Sequence, residues 1–386
     1  MPPSLRAFFF TLMSGLFVVG SFVYWQDPAQ HFRRRVPFPG RPLAPNEVWV
    51  GPVANLPERD IRRRQIAVYL HPDLVVLGSS RVLMINGSFF NSGVAFENLG
   101  VSGATVEDDM ALWQILKMSY KVPKYIILGL DPWVVNANNE QRRWTDLRKY
   151  YNDFLNVQDR PRSEHLYQRF QTLWRRSIED PLDNLSELWS WSSVLRSWQM
   201  LWSPISGTTT AAVYAENARP TAYAGYRADG SAIYPATEVA KRSLSAVEAK
   251  AREYALQGKV YSLSNWKVSG SQLTDLQWLL TDMKKEGSHV LIVLVPYQPL
   301  ARRLIDERPG YINVLSDSSK FLETSAQGVP GIDFCNADDS DKIGCQPDEF
   351  LDAMHPSVTC MHKVVTYCFQ QSDPWRKLLR TQRPDL

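Results

Sequence analysis

Three short runs of apolar residues constrain the fold of this chain more than any other feature. They occupy residues 74–77, 125–130 and 290–295; Gly78 ends the first run and Pro296 ends the last. A continuous apolar run of this length is typical of a strand that is buried on both faces, as in a parallel sheet. We therefore expect three central strands of a parallel sheet, widely separated along the chain.

The segments around these runs predict the remaining elements of an α/β fold. Weaker strands are predicted at residues 94–99 and 331–334, and helices at residues 105–118, 300–307 and 358–370. Strands that alternate with helices indicate a doubly wound parallel sheet with right-handed crossovers. Active residues of such sheets gather beyond the carboxyl ends of the strands.

Two parts of the chain do not follow this pattern. Residues 26–72 are rich in Pro and Arg and show no sustained period, so we predict a linker there. Residues 132–287 lose the alternation and contain helical patterns at 238–257 and 271–286, which predicts a large helical insertion. The main domain is then expected to cover residues 73–386.

The N-terminal segment is apolar enough to cross a membrane. Residues 7–25 contain no ionisable side chain except Tyr24, and a helix needs about 20 such residues to span a bilayer. The segment ends in Phe22, Tyr24 and Trp25 with no small-residue cleavage motif, which favours an uncleaved transmembrane anchor over residues 1–25. A removed signal peptide is the alternative.

The arginines and the cysteines predict opposite locations for the main domain relative to that membrane. Three arginines follow the segment at positions 33–35, so the positive-inside rule alone would leave the main domain in the cytoplasm. The four cysteines lie close together near the C-terminus and show no metal-ligand spacing, which favours disulfides in an oxidising compartment over four buried free thiols. We give the cysteines more weight and expect an extracytoplasmic, periplasmic domain.

The predicted last helix limits how these cysteines can pair. If residues 358–370 form one helix, Cys360 and Cys368 lie about 12 Å apart along its axis. That distance exceeds the roughly 7 Å limit on Cα separation in a disulfide. Each of the two is therefore expected to pair with Cys335 or Cys345, in either combination.

Two sequence patterns carry the residues of a serine nucleophile and its base. Ser80 stands in a Gly-Ser-Ser-Arg turn directly after the first strand, where a hydroxyl is presented at the edge of the sheet. Asp352 and His355 lie three residues apart before the last helix, a spacing at which a carboxylate can orient an imidazole. Each pattern is common by chance, and position 82 is Val, which argues against the Gly-x-Ser-x-Gly elbow of α/β-hydrolases.

A third pattern between them makes an ordered set. Residues 98–103 read Asn-Leu-Gly-Val-Ser-Gly and follow the second strand, where a glycine amide can donate to an oxyanion. With Gly78-Ser79-Ser80 and Asp352-x-x-His355, this set resembles the SGNH/GDSL hydrolase superfamily, with Ser79 in place of the usual Asp. The family's Gly-x-Asn-Asp block appears only as Gly129-Leu130-Asp131, without the asparagine.

The resemblance implies a fold and a role for each matching residue. The fold is an SGNH hydrolase-like, flavodoxin-like sandwich of three layers. Ser80 becomes the nucleophile, His355 the base and Asp352 its orienting partner, with the amides of Ser80 and Gly103 as the oxyanion hole. We add Asp131, Ser79 and Arg81 as oxyanion or substrate-binding residues, with Arg81 expected to clamp a carboxylate or phosphate of the substrate.

The anchor and the Gly-Ser-Ser block are similar to one branch of that superfamily. This branch contains the D-alanyl transfer and polysaccharide O-acetylation proteins, which work with membrane-bound O-acyltransferases. The resemblance implies a serine acyltransferase or esterase that acts on a cell-envelope glycan or related polymer, with such an acyltransferase as partner. A stand-alone esterase of small or lipid esters and a non-catalytic scaffold are the alternatives.

Composition and motifs exclude several other function classes. A net charge of +3 spread along 386 residues lacks the dense basic patch that nucleic-acid binding needs. With 44% hydrophobic and 22% charged residues, the chain is neither disordered nor a protein of many membrane spans. It has no P-loop, no GxGxxG motif and no cluster of metal ligands, so we expect no nucleotide cofactor and no metal.

Overall fold

The structure is a computed structural model, and its residues divide into two units. It describes residues 3–26, 39–51, 57–68, 71–139, 141–157, 189, 194, 197, 198, 212–221, 224–257 and 260–380. The first unit contains the N-terminal helix and the described residues between 189 and 198. The second contains the described residues of 39–50, 58–158 and 213–386, which include every predicted site residue.

In the first unit, helix α1 extends over Pro3–Gln26. Its span Leu5–Trp25 is 21 residues long, and among the described residues it alone is long and apolar enough to cross a membrane. The indole N–H of Trp189 donates to the carbonyl oxygen of Leu16 at 2.8 Å. A tryptophan of the predicted insertion thus packs on this helix.

The second unit is built on a parallel sheet of five strands. The strands are β2 (Leu74–Gly78), β3 (Phe96–Asn98), β4 (Tyr125–Leu130), β8 (His289–Leu294) and β9 (Ile332–Asn336). They lie in the order β3-β2-β4-β8-β9, and every neighbouring pair is parallel. The predicted mixed α/β fold with a parallel sheet is confirmed, and this strand order is that of flavodoxin-type doubly wound sheets.

Helices cover both faces of this sheet. On one face, Val75, Leu128 and Ile292 share a buried apolar core with helices α3 (Val106–Met118), α7 (Gly270–Lys285) and α9 (Val314–Gln327). On β9, Phe334 packs against that core, while Cys335 points to the other face and bonds to the last long helix, α11 (Val358–Gln370). Burial on both faces is why the central strands are continuously apolar.

The remaining helices lie in the predicted insertion and near the C-terminus. They are α4 (Arg148–Val157), α5 (Ala236–Ala240), α6 (Leu244–Leu256), α8 (Pro299–Glu307), α10 (Ser340–Ile343) and α12 (Asp373–Arg376). The insertion is not only helical, because β5 (Ala212–Ala215), β6 (Gly225–Arg227) and β7 (Ala232–Ile233) lie within it. With β1 (Glu47–Val50) they form a second sheet in the order β5-β1-β6-β7.

The segment 26–72, predicted to be a linker, contributes two elements to the second unit. These are β1 and helix α2 (Glu58–Val68). On α2, Ile61 and Ile66 are buried together with Arg59, Arg62 and Gln65. Because the buried face of α2 is largely polar, it leaves no apolar period in the sequence.

The four cysteines form two disulfides, Cys335–Cys368 and Cys345–Cys360. The prediction that Cys360 and Cys368 each pair with an upstream cysteine is confirmed. Both bonds end on α11, so this helix is attached at one point to β9 and at another to the loop before residue 347. Buried disulfides are typical of domains that fold in an oxidising compartment.

Candidate active site

The turn after β2 presents Ser80 at the carboxyl edge of the sheet. Gly78 has φ +130°, and a Cβ there would lie 2.4 Å from the carbonyl oxygen of Gly129, so only glycine allows β2 and β4 to approach this closely. Ser79 then caps the 3-10 turn Ser80–Val82, its hydroxyl oxygen accepting the N–H of Arg81 at 3.2 Å. Ser80, the first residue of this turn, is half-buried.

His355 and Asp352 reach that hydroxyl from the loop before α11. The Oγ of Ser80 lies 2.9 Å from Nε2 of His355, although 275 residues separate them in sequence. On the other side of the ring, Nδ1 lies 2.8 Å from Oδ2 and 3.0 Å from Oδ1 of Asp352. The structure therefore brings these three predicted residues together.

The ionisation of Asp352 determines the proton arrangement in this row of side chains. Burial acts to raise the pKa of Asp352, but the imidazole of His355 and the backbone N–H groups of Met354 and His355 lower it to about 2. The carboxylate is thus ionised at neutral pH and accepts a hydrogen bond from the Nδ1–H group of His355. In the tautomer that carries its proton on Nδ1, Nε2 is an acceptor, and it can take the proton of the Ser80 hydroxyl.

Arg81, the residue after Ser80, forms a buried ion pair with Asp131. Nη1 of Arg81 lies 2.6 Å from Oδ1 of Asp131, and the two side chains are 0% and 2% exposed. Nη2 of Arg81 donates to the carbonyl oxygen of Val295 at 2.6 Å, and its guanidinium stacks on Tyr297. A side chain buried and bonded in this way is not available to clamp a substrate, contrary to our expectation for Arg81.

This ion pair links three loops of the site. Nε of Arg81 donates to the carbonyl oxygen of Met354, the residue before His355, at 2.9 Å. Asp131 follows β4 directly and is also hydrogen-bonded by Ser79. Ser79, Arg81 and Asp131 thus hold the Ser80 turn, the end of β4 and the His355 loop in place, and their buried side chains are directed away from solvent.

The loop of residues 98–103 leaves one backbone donor without an acceptor. The N–H groups of its other residues and of Ala104 donate within the structure, to Asp229 O, Val76 O, Asn98 Oδ1, Gly78 O, Glu58 Oε2 and Val101 O. In the part of the chain that the structure describes, neither the Gly103 N–H nor the Ser80 N–H has a hydrogen-bond partner. These are the two amides that the sequence predicts for an oxyanion hole.

Asn98 keeps this loop close to the nucleophile turn. Its buried amide donates to the carbonyl oxygens of Val82 and Ile85, both at 2.9 Å, while its Oδ1 accepts the Gly100 N–H. Val101 also donates to the carbonyl oxygen of Gly78, two residues before Ser80. The loop of Gly103 is thus bonded to the chain on both sides of Ser80, at Gly78 before it and at Val82 and Ile85 after it.

Tyr261, from the insertion, lies against Gly103. A Cβ on Gly103, which has φ +61°, would lie 2.4 Å from the hydroxyl oxygen of Tyr261. The ring of Tyr261 makes an edge contact with Trp133, whose indole N–H donates to the carbonyl oxygen of Ala104. Sequence reasoning did not identify Tyr261, because it lies far from every motif and in no regular pattern.

Helix α2 supplies further residues that sequence reasoning missed. Glu58 accepts the N–H of Ser102 at 2.5 Å, and Nε of Arg62 donates to the carbonyl oxygen of Gly100 at 2.8 Å. The signal that could have revealed them is a helical spacing of polar residues, with Glu58, Arg62 and Gln65 at positions i, i+4 and i+7.

The arrangement has the components of covalent acyl transfer: an activated hydroxyl, an oriented imidazole and two free amides. In the described residues, no group of three or more His, Cys, Asp or Glu side chains is placed to hold a metal ion. No protein-family model matches the chain, and no curated protein matches its sequence.

Proposed function

We propose that this chain is a serine acyltransferase or esterase that works through an acyl-serine intermediate. The observation that carries the proposal is the continuous row Ser80 Oγ, His355 Nε2, His355 Nδ1 and Asp352 Oδ2, with contacts of 2.9 Å and 2.8 Å. This row arises from two loops at the carboxyl edge of a parallel sheet, where such sheets place their reactive groups. Two unbonded amides next to it supply the charge stabilisation that acyl transfer needs.

Acylation begins when Ser80 attacks the carbonyl carbon of an ester. His355 takes the hydroxyl proton on Nε2 as the new C–O bond forms, and the carboxylate of Asp352 stabilises the resulting imidazolium. The carbonyl oxygen becomes an oxyanion that accepts hydrogen bonds from the amides of Ser80 and Gly103. His355 then donates its proton to the leaving oxygen, and the acyl group remains on Ser80.

Deacylation repeats these steps with a second hydroxyl. An acceptor alcohol or a water molecule gives its proton to His355 and attacks the carbonyl carbon of the acyl-serine. His355 then returns this proton to Oγ of Ser80, as the bond between the acyl group and Ser80 breaks. The side chains of His355 and Asp352 are 20% and 37% exposed, so water can reach the base. That exposure favours the stand-alone esterase as the second candidate function.

The location and substrate that we propose follow from the rest of the chain. Helix α1 would anchor the protein, and the disulfides favour the extracytoplasmic, periplasmic side of the membrane. An enzyme held there meets cell-envelope glycans, whose hydroxyls are acyl acceptors. We propose such a glycan or glycopolymer as acceptor and a membrane-bound O-acyltransferase as the partner that supplies the acyl group.

Labelling with a fluorophosphonate tests the chemistry. We expect the full chain in detergent to form a covalent adduct at Ser80, and we expect Ser80→Ala and His355→Ala to lose it. The matched controls are Ser88→Ala and His362→Ala, since His362 packs its ring on Phe89 instead of facing the nucleophile. Equal labelling of the wild type and Ser80→Ala would reject Ser80 as the nucleophile.

A second experiment separates transfer from hydrolysis. Cells that carry Ser80→Ala are compared with wild type for acyl groups on their envelope polymers, while the purified protein is assayed with p-nitrophenyl acetate. Loss of polymer acylation with slow ester turnover supports the transferase. Unchanged acylation in Ser80→Ala cells, with rapid ester turnover that depends on Ser80, would indicate the stand-alone esterase. Unchanged acylation with no turnover would indicate the non-catalytic scaffold.

A further inference from the structure

Helix α2 places a polar stripe against the loop that carries Gly103. The stripe consists of Glu58, Arg59, Arg62 and Gln65, and all four contact residues of the loop 98–103. Asp60, on the same helix, is instead paired with Arg63 and Arg64, which are 41% and 44% exposed. One side of α2 thus contacts the loop. On another side Asp60 is buried, while Arg63 and Arg64 reach solvent.

Glu58 binds both hydrogens that Ser102 offers. Its Oε2 accepts the backbone N–H at 2.5 Å, and its Oε1 accepts the hydroxyl at 2.9 Å. Tyr226 of β6 donates its hydroxyl to the same Oε1 at 2.7 Å, which fixes the carboxylate from the far side. Ser102 immediately precedes Gly103. The bond from the Ser102 N–H to Glu58 therefore restrains the peptide unit that comes directly before the one that carries the Gly103 N–H.

Arg62 holds the other end of the loop. Its Nε donates to the carbonyl oxygen of Gly100 at 2.8 Å, and its guanidinium lies 4.3 Å from the ring centre of Tyr226. Arg62 is fully buried, so its position is set by this stacking and by Gln65, which accepts from Nη1. Tyr226 therefore supports both Glu58 and Arg62.

We propose that α2 is a positioning element for the loop of residues 98–103, here called the oxyanion loop. Glu58 is the central residue of this positioning element. Glu58 and Arg62 restrain the peptides at Ser102 and Gly100, so that the N–H of Gly103 stays directed at the developing oxyanion. The proposal rests on the proposed function, because it assumes that Gly103 serves acyl transfer at Ser80.

The chemistry of α2 supports a positioning role over a role in stability alone. Burying Arg59 and Arg62 removes two charges from water, and apolar side chains of similar volume stabilise a fold as well or better. Charge-assisted hydrogen bonds, however, are short and directional, and they hold a backbone group in one orientation. Such restraint is what an oxyanion donor requires, because a displacement of about 1 Å can cost about 100-fold in rate.

The test compares Glu58→Gln and Glu58→Ala with Asp60→Asn, a matched control on the same helix. All are made in the full chain, and kcat and KM for p-nitrophenyl acetate are measured over pH. We expect Glu58→Ala to lower kcat about 10- to 100-fold, with KM within about twofold and an unchanged acidic limb of the pH profile. Glu58→Gln keeps one acceptor and is expected to lose less.

The outcomes separate this proposal from the proposed function. Wild-type protein that shows no turnover above Ser80→Ala overturns both. A second outcome overturns only the role of α2. In it, the wild type turns over ester at Ser80, but Glu58→Gln and Glu58→Ala leave the turnover unchanged or lower it no more than Asp60→Asn does. If Glu58→Ala does not fold, Ser102→Ala and Glu58→Gln take its place as two separate variants. Ser102→Ala removes only the hydroxyl bond to Glu58. Both variants must lower kcat at constant KM, or the proposal fails.

Discussion

Arg81 donates a hydrogen bond to the carbonyl oxygen of Met354 at 2.9 Å, which ties the residue after Ser80 to the residue before His355. The same guanidinium bonds to Asp131 after β4 and to Val295 after β8. One buried side chain thus sets the separation of two loops that meet only in the folded protein. We therefore expect the distance between Ser80 and His355 to depend on Arg81.

Substitution of Arg81 tests that dependence. Arg81→Lys keeps the positive charge near Asp131 but cannot make all three hydrogen bonds, because an ammonium lacks the planar fork of the guanidinium. We expect kcat for p-nitrophenyl acetate to fall at least about 10-fold, with KM unchanged because Arg81 does not reach the substrate, and the thermal midpoint to fall as well. A raised KM with normal kcat would instead restore Arg81 as a substrate clamp.

Asp352→Asn tests the proton arrangement. The amide is nearly the same size as the carboxylate but carries no charge to stabilise the imidazolium of His355, so the ring loses its preferred tautomer. We expect kcat to fall by about 10²- to 10⁴-fold while the protein stays folded. Fluorophosphonate labelling rates and circular dichroism check both points, and near-normal labelling would show that Asp352 does not act on His355.

The strands of the main sheet and the triad could be predicted because each depends on a local signal. Burial on both faces makes β2, β4 and β8 continuously apolar, and the predicted boundaries of β4 and α11 agree with the structure to the residue. Ser80 and His355 stand in short motifs next to such elements. Their approach to 2.9 Å follows from the topology of a parallel sheet, which brings the carboxyl ends of its strands together.

The elements that were missed lack that signal for physical reasons. The buried face of α2 includes Arg59, Asp60, Arg62 and Gln65, and the buried face of α9 includes Ser318, Ser319 and Ser325, so neither has a clear apolar period. The sequence places Arg81 next to Ser80, which predicts a substrate contact, because charged side chains are mostly exposed. Its burial depends on Asp131 and Tyr297, which are distant in sequence.

Two half-buried glutamates, Glu97 and Glu107, predict a stability that falls as the pH rises. Burial raises the pKa of Glu97 to about 8 and that of Glu107 to about 7, against about 4.3 in an unfolded chain. Since the folded-state pKa lies above the unfolded value, the favourable contribution is complete below about pH 4.3 and is lost as the pH rises through 7 and 8. The thermal midpoint is therefore expected to decrease between pH 5 and pH 9.

Glu97→Gln removes one of these titrations. The variant is expected to show a flatter decrease, with Glu107 responsible for the part that remains. Glu47→Gln is the matched control, because the hydrogen bond from Arg41 lowers the pKa of Glu47 to about 2 and keeps it ionised over this range. Differential scanning fluorimetry across pH measures all three proteins, and identical slopes in the wild type and Glu97→Gln would contradict the prediction.

The disulfides predict a dependence on redox conditions. Cys345–Cys360 spans 15 residues, and a loop of this length stabilises a fold by about 3 kcal/mol through the entropy of the unfolded chain. We expect Cys345→Ser/Cys360→Ser to lower the free energy of unfolding by about 2–4 kcal/mol. Urea unfolding with and without reductant measures this change. A wild-type unfolding midpoint that is the same with and without reductant would argue against both disulfide bonds.

Gly103→Ala tests the contact between the oxyanion loop and Tyr261. The added methyl group would lie 2.4 Å from the Tyr261 hydroxyl, and φ +61° costs a non-glycine residue about 1–2 kcal/mol. Both effects displace the Gly103 N–H, so we expect kcat and the thermal midpoint to fall together.

A double-mutant cycle with Tyr261→Phe separates the two causes. Removing the hydroxyl relieves the steric contact but leaves the backbone strain, so the double variant should regain part of the stability that Gly103→Ala loses. If it also regains kcat, the displacement of the loop by Tyr261 causes the loss of activity. If Gly103→Ala is equally impaired with and without the hydroxyl, backbone strain at Gly103 accounts for the whole effect and the predicted steric contribution of Tyr261 is wrong.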